Sequence, residues 1–327
     1  SLGVWPVNSP SLAGEILGLL DLSADAPVSV KNVGEVSLVD ALIHHWDITR
    51  ITRNILELIA DRQPDAPFAP LLDPAHKPAL NQWLWGRQIA DVLHETGARL
   101  SPRDLMTVMR PLQPRYYSIA SSPHAQPDEI QLTVSVVRYA CDGRDRSGLC
   151  SGFLADRSDD TDVGLFLQPS AHFHPPADLA RATIMIGPGT GIAPFRGFLH
   201  DRQATGATGA NWLFFGEQHQ ATDFYYRDEI ETWRRSGHLD RLSLAFSRDQ
   251  ADKIYVQHRM IEEGAELWRW IDNGAHLYVC GDASRMARDV DAALKRIVAT
   301  QGGMSADLAE DYVAQMQQDR RYVRDVY

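Results

Sequence analysis

The sequence predicts a multidomain chain of mixed class, α+β in its first half and α/β in its second. Three observations carry this reading. Beyond residue 180, four short apolar runs alternate with helical segments, as in a doubly wound parallel sheet with helices on both faces. Between about 114 and 178, short alternating runs read as β structure. Between about 8 and 113, apolar residues recur at helical spacing and prolines interrupt them. At 327 residues the chain can hold two or three domains, each with its own core. The expected boundaries are 1–7, 8–113, 114–178 and 179–327.

Taken in order, Ser1-Leu2-Gly3-Val4-Trp5 reads like the inside of a strand, and no initiator Met precedes it. The expectation is a chain that is the downstream part of a longer polypeptide. Leu38–Ile43 and Ile51–Ile59 have helix-like apolar spacing. Pro64, Pro67, Pro70, Pro74 and Pro78 break the zone with loops. Ser101-Pro102-Arg103-Asp104 reads as an N-cap with proline at the first helical position. Ile130–Val137 alternates like a strand, and Gly164–Gln168 is a second candidate. The four runs of the last zone are Thr183–Ile186, Asn211–Phe215, Arg241–Phe246 and His276–Cys280. Sheets of this kind bind ligands beyond the carboxyl ends of their strands, so the loops after these four runs are where chemistry is expected.

Composition narrows the function. A formal net charge of −11 argues against nucleic acid, which needs clustered Lys and Arg. Cys141, Cys150 and Cys280 form neither a disulfide framework nor a metal-binding pair, which fits a reducing cytoplasm. No apolar stretch is long enough to span a bilayer and no signal peptide is evident, so neither membrane nor secretion is expected. His44-His45 and His172-Phe173-His174 lack a carboxylate or Cys set at ligand spacing, so no metal is expected.

Gly187-Pro188-Gly189-Thr190-Gly191 follows an apolar strand and precedes a helix, with Ala193-Pro194 next. Glycines there let backbone approach a pyrophosphate, and the helix start supplies free N–H groups. That context favours phosphate binding over a plain Gly-rich turn. Ser247-Arg248-Asp249-Gln250 follows the third strand, with Lys253-Ile254-Tyr255-Val256-Gln257 close behind. Arg and Lys suit a 2′-phosphate, which points to NADPH over NADH, with Asp249 the discordant charge. In Arg115-Tyr116-Tyr117-Ser118 the Arg can neutralise a pyrophosphate, a Tyr can stack on a flat ring and the Ser can bond a ring nitrogen. Gly148-Leu149-Cys150-Ser151 is a second candidate anion-binding turn. Cys280-Gly281-Asp282 ends the fourth strand, where Cys280 is either a buried structural residue or a catalytic one. The sequence closes on Arg-Asp-Val-Tyr, and Tyr327 is a candidate lid on a flavin.

In this order, the motifs resemble the ferredoxin–NADP reductase module of the diflavin reductases, most nearly the flavoprotein family of the assimilatory NADPH-sulfite reductases. Gly187–Phe195, Ser247–Gln257, Gly264–Ile271 and Tyr278–Asp282 all read as family sequence. The resemblance implies an antiparallel FAD-binding β-barrel with a helical connecting insertion, followed by an NADP-binding parallel sheet. Arg115, Tyr117 and Ser118 would then hold FAD, with Tyr116 beside them. Thr133, Val134, Ser135 and Tyr139 would line the flavin, Gly148–Ser151 would cap its pyrophosphate, and Thr49 would reach it. Ser247, Arg248, the run Lys253–Gln257 and Asp289 would bind NADPH. Ser118, Cys280 and Asp325 would surround the hydride-transfer centre, and Tyr327 would stack on the flavin. In the family an FMN-binding flavodoxin-like domain and the first barrel strands precede this region. Electrons would leave through that FMN domain to a sulfite reductase hemoprotein. The alternatives are a module serving another acceptor, a cytochrome monooxygenase or free flavodoxin, and a non-catalytic flavoprotein scaffold. The chain departs from the family at Phe173-His174-Pro175-Pro176, where a Phe-Arg-Leu-Pro-like stretch is usual.

Overall fold

The structure is a computed structural model that describes residues 1–159 and 161–327. The chain forms two compact units that interleave in sequence. One comprises residues 2–116 and 135–167; the other comprises residues 1, 117–134 and 168–327.

The first unit opens on a strand, Leu2–Trp5 (β1), followed by the helix Pro10–Leu20. That helix buries Leu12, Ala13, Ile16, Leu17 and Leu20, the inward stripe of a 3.6-residue period. A hairpin of Pro27–Val30 (β2) and Gly34–Ser37 (β3) comes next, inside the zone read as helical. Leu38–Ile43 is a single helical turn that widens into a π turn over Ala41–His45, not a regular α-helix. The helix expected at Ile51–Ile59 begins two residues later and runs Arg53–Arg62, because Thr52 caps it by accepting from the Ile55 amide. Ser101 and Asp104 form a reciprocal capping box on the helix Pro102–Val108, as the sequence indicates. The core of this unit gathers Leu42, Trp46, Ile48, Ile55, Phe68 and Leu93.

The antiparallel part of this unit holds the strand Arg115–Tyr117 (β4) up to Tyr116, the hairpin Arg138–Cys141 (β5) and Arg144–Ser147 (β6), and Gly164–Leu167 (β7). Sheet order is β4-β1-β7, with Leu2 opposite Leu167 and Gly3 opposite Phe166. Gly3 is required there: a Cβ would meet the Phe166 ring at 2.3 Å. Asp142 and Gly143, both at positive φ (49° and 77°), close the β5–β6 hairpin. The strand expected over Ile130–Val137 does not form. Only Leu132 bridges, to Ile119, and two of the amides go to hydroxyl groups instead: Gln131 to Ser121 Oγ and Val137 to Ser151 Oγ. The segment also passes from one unit to the other between Val134 and Ser135, so no single partner strand runs along it.

The second unit is built on five parallel strands: Thr183–Ile186 (β8), Asn211–Glu217 (β9), Arg241–Phe246 (β10), His276–Gly281 (β11) and Tyr322–Val326 (β12). Their order is β10-β9-β8-β11-β12. The alternation of side chains sorts them onto two faces. Ile184, Ile186, Trp212, Phe214, Leu277 and Val279 pack into one core; Met185, Leu213, Phe215, Tyr278 and Cys280 pack into the other. A sheet buried on both faces explains why the first four strands read as near-continuous apolar runs. β12 was not among them, because Tyr322-Val323-Arg324-Asp325-Val326 is an edge strand with polar side chains. The chain runs β8 to β10 in one direction and then returns to place β11 on the other side of β8. The strand order therefore reverses between β8 and β11, where such sheets open a ligand crevice.

Candidate coenzyme and flavin sites

A cavity of about 620 Å³ opens at the carboxyl ends of the parallel strands. Its floor is Pro188 and Gly189 after β8, Gly216–Gln218 in β9 and just after it, and Ala245 in β10. Its walls include Ser247, Arg248, Lys253, Tyr255, Val256 and Gln257 on one side, and Asp282, Arg285, Met286 and Asp289 on the other. Most of the residues expected around the coenzyme phosphate therefore meet in one place. Ile254 instead packs against the core beneath. Gln257 Nε2 donates to Asp289 Oδ2 at 3.2 Å, joining the two walls.

Arg248, Lys253 and Arg285 are exposed, and none has an ion pair among the described residues. The discordant Asp249 is committed elsewhere. Its carboxylate accepts from the Gln220 amide and pairs with His219 Nδ1, each at 2.9 Å, and the amide bond above all holds it below the usual carboxylate range. Asp282 is likewise saturated. It takes the amides of Arg285, Ser284 and Met286 and the Ser284 hydroxyl, which hold it well below the ordinary value. Unpaired cations beside a saturated carboxylate suit an anionic ligand, so the donor set fits a phosphorylated nucleotide.

The glycine loop is built for tight internal packing as well as for a ligand. A Cβ at Gly187 would meet Gly191 O at 2.4 Å, and one at Gly191 would meet Cys280 O at 2.2 Å. These two glycines are buried; they let the loop lie flat on the end of β11. Pro188, Gly189 (φ 58°) and Thr190 are the part-exposed members. A short 3₁₀ turn, Gly189–Ile192, leads into the helix Ala193–Ala204.

Beside the loop, the register of the two last strands puts Cys280 opposite Asp325. Ser118 Oγ donates to Asp325 Oδ2 at 3.3 Å. Cys280 is fully buried, and burial, with the Asp325 charge adding and the Ser118 hydroxyl opposing, pushes its thiol up to about 12. Ser118, Cys280 and Asp325 thus come together although up to 207 residues separate them. Tyr327 is 64% exposed, donates its amide to Gly281 O at 3.1 Å, and places its hydroxyl 3.0 Å from Thr190 Oγ1. Burial of part of its ring raises its phenol above the ordinary value. Thr133 belongs to the same unit, with its hydroxyl 2.7 Å from that of Tyr226. Tyr117 and Val134 belong to it too.

The remaining expected flavin residues lie in the other unit. Asp47, only 5% exposed, organises two of them. Its Oδ1 accepts from the Thr49 hydroxyl at 2.7 Å and from the Thr49 and Arg50 amides, and its Oδ2 pairs with Arg115 Nη2 at 3.4 Å. Gly148 caps the helix Leu149–Asp156, where a Cβ would collide with Ser151 Oγ at 2.6 Å. Cys150 and Ser151 are buried on its first turn. Tyr139 lies 3.4 Å from Gln88 Nε2. Tyr116, Val136 and Val137 stay 57, 42 and 47% exposed, and Ser135 is exposed as well. An arginine held by a buried carboxylate, a helix start and bare apolar side chains are the chemistry that a flavin nucleotide needs, so this set also fits. Among the described residues no group of three or more His, Cys, Asp or Glu could hold a metal. No helix among them is long and apolar enough to cross a membrane.

Two family models fall on the chain: an FAD binding domain over residues 1–153 and an oxidoreductase NAD-binding domain over residues 185–292. The second of them falls on the parallel sheet and its reversal point, and the first covers most of the unit that holds the helices and the antiparallel strands. Along its whole length the chain is 47% identical to the sulfite reductase [NADPH] flavoprotein alpha-component of Yersinia pestis bv. Antiqua (strain Antiqua). It is 46% identical to the proteins of the same name from Yersinia enterocolitica serotype O:8 / biotype 1B and Serratia proteamaculans (strain 568). In each case it covers 54% of the relative, so it spans about half the length of the curated relatives it matches.

Sequence reasoning missed Arg285, Met286 and Gln218 as cavity residues. All three follow an apolar run of the last zone, but single residues there stand out only once the strand order puts those loops at the crevice.

Proposed function

We propose that the chain is an NADPH-dependent flavoprotein reductase module in which hydride passes from NADPH to FAD. In the longer protein, electrons would continue through an FMN-binding domain to a cytoplasmic sulfite reductase hemoprotein, which reduces sulfite to sulfide for cysteine synthesis. The observation that supports it most is the cavity holding Arg248, Lys253 and Arg285 without carboxylate partners, beside strand ends that carry Cys280 and Asp325. When bound, FAD supplies the hydride acceptor and the conversion from two-electron to one-electron transfer.

The chain's own residues have separable roles. Arg248 and Lys253 bind the 2′-phosphate, with Ser247, Tyr255 and Gln257 closing on the adenosine and Asp289 orienting Gln257. Arg115, Thr49 and the helix start at Gly148 hold the flavin pyrophosphate, and Tyr116, Tyr117, Thr133, Val134, Ser135 and Tyr139 line the rest. Ser118 presents its hydroxyl oxygen at the reacting ring while Asp325 accepts the hydroxyl's hydrogen bond. Cys280 packs there as a neutral thiol and adds no charge where hydride moves. Tyr327 covers the flavin face and gives way to nicotinamide.

The test is NADPH-dependent ferricyanide reduction by the FAD-loaded protein. A scaffold that binds nucleotides without turnover gives none, which would sink the reading. Sulfide formation with a purified sulfite reductase hemoprotein and the full-length protein separates this acceptor from others.

A further inference from the structure

We infer that Arg285 is a third cationic contact of the coenzyme cavity, and that it engages the diphosphate common to NADPH and NADH, not the 2′-phosphate. The inference rests on reading that cavity as the coenzyme site.

Arg285 lines the cavity, is exposed, and has no ion pair among the described residues. Its backbone is fixed, because its amide donates to Asp282 Oδ2 at 2.8 Å. The Asp282 carboxylate is already taken up by three amides and the Ser284 hydroxyl, and among the described residues no carboxylate forms an ion pair with the guanidinium. The fixed backbone aims an unsatisfied arginine into the cavity from the start of the 16-residue helix Met286–Gln301.

Its place in the sheet decides which phosphate it meets. The turn that carries it follows β11, which adjoins β8. Gly281, at φ +133°, leaves room for Met286, whose Cε would stand 2.9 Å from a Cβ there, with Pro188 O at 3.6 Å. The Arg285–Met286 turn thus leans on the glycine loop, where a loop before a helix start collects a diphosphate. Arg248 and Lys253 follow β10, three strand spacings from β11, or about 14 Å. The cations therefore stand in two groups, one for each of the two places where a dinucleotide phosphate is charged. Glu217 and Asp289 also line the cavity, and a diphosphate brought near them needs a local cation to offset their repulsion.

The experiment measures Kd for NADP⁺, NAD⁺ and 2′-AMP with the 327-residue protein, by calorimetry or by competition, in wild type, Arg285→Ala and Arg248→Ala. Arg285 is exposed, so an unchanged melting temperature is expected for its variant. Arg285→Ala should weaken NADP⁺ and NAD⁺ by the same factor, about ten- to hundredfold for a lost charge-assisted contact, and leave 2′-AMP unchanged. Arg248→Ala should weaken NADP⁺ and 2′-AMP and spare NAD⁺. If Arg285→Ala changes no affinity while Arg248→Ala shows its loss, the inference is wrong and the coenzyme site stands. If Arg285→Ala weakens only NADP⁺ and 2′-AMP, the assignment to the diphosphate is wrong. If neither variant changes any affinity, the coenzyme reading of the cavity falls and takes the inference with it.

Discussion

At the scale of single residues, Cys280 shows how burial decides chemistry. Nothing in the sequence distinguishes a structural thiol from a reactive one, and both readings stay open until its surroundings are known. The structure buries it completely and raises its pKa, so at neutral pH it is a thiol and not a nucleophile. The shift has a thermodynamic consequence. Unfolded chain releases this proton above about pH 9, whereas folded chain keeps it to about 12. The contribution is therefore fully present below pH 9 and is lost as pH rises from there, at up to about 1.4 kcal/mol per pH unit. Buried Tyr278 and Tyr322, also shifted upward by burial, act in the same sense at higher pH. Urea titrations between pH 8 and 10.5 should show falling stability, and Cys280→Ala should flatten the slope by one proton. Tyr327 gives a second prediction. Ring stacking contributes about 0.5–1.5 kcal/mol beyond area burial, little enough for nicotinamide to displace. Tyr327→Ala should bind NADP⁺ more tightly and lower the ratio of kcat/KM for NADPH to that for NADH. Tyr327→Phe, which keeps the ring and loses only the Thr190 contact, should stay close to wild type. Unchanged ratio and affinity in the alanine variant would make Tyr327 a bystander. Arg248 and Lys253 were legible because their charge sits after a recognisable strand. Arg285 was not, because a lone arginine in a turn carries no pattern until the strand order puts it at a crevice.

At the scale of elements, legibility tracked burial. Thr183–Ile186 and Arg241–Phe246 are recovered with their ends intact: the first is buried at every position and mostly apolar, and the second keeps four apolar residues in six although it is an edge strand. Ile130–Val137 has the right alternation and no partner, which alternation alone cannot reveal. The Asp142-Gly143 turn signal was present in the sequence and would have located the β5–β6 hairpin. The helical zone hid a hairpin and a π turn, because short strands and π turns have no period of their own. Two elements yield predictions. Gly191→Ala drives a Cβ into Cys280 O, and main-chain atoms on both sides leave little room to give. It should cost roughly 1–3 kcal/mol in denaturant titrations and weaken coenzyme binding at the same time. Arg146 joins Asp91 at 2.7 Å and Glu15 at 2.8 Å, tying β6 to the helices Ile89–Thr96 and Pro10–Leu20. Asp91 is 1% exposed, and breaking a buried pair strands the other charge. Asp91→Ala should lose about 3–5 kcal/mol, whereas Arg53→Ala, which breaks the exposed pair with Glu57, should lose less than about 1 kcal/mol.

At the scale of the whole molecule, the residues proposed for the flavin are found in both compact units: Thr49, Arg115 and Gly148–Ser151 in one, Ser118 and Thr133 in the other. A ligand that binds only the folded chain stabilises it by mass action, about 2.7 kcal/mol at a hundred times its Kd. Added FAD should therefore raise the melting temperature, and FMN, which lacks the pyrophosphate that Arg115 would hold, should raise it less. Flavin released from the saturated protein should be mainly FAD; mainly FMN would refute the flavin assignment.

The bond between Ser118 and Asp325 also sets a timetable for synthesis. Chains grow at about 5–20 residues per second, so the 207 residues between them take about 10–40 s to make. For that interval residues 117–134 have been made while most of the unit they belong to does not yet exist. β11 in turn waits for β12 with one edge unpaired, a template for wrong partners. Of the five strands β12 is thus the last to be made, and a nascent chain that stalls before Tyr322 holds four of them with no Asp325 beside Cys280.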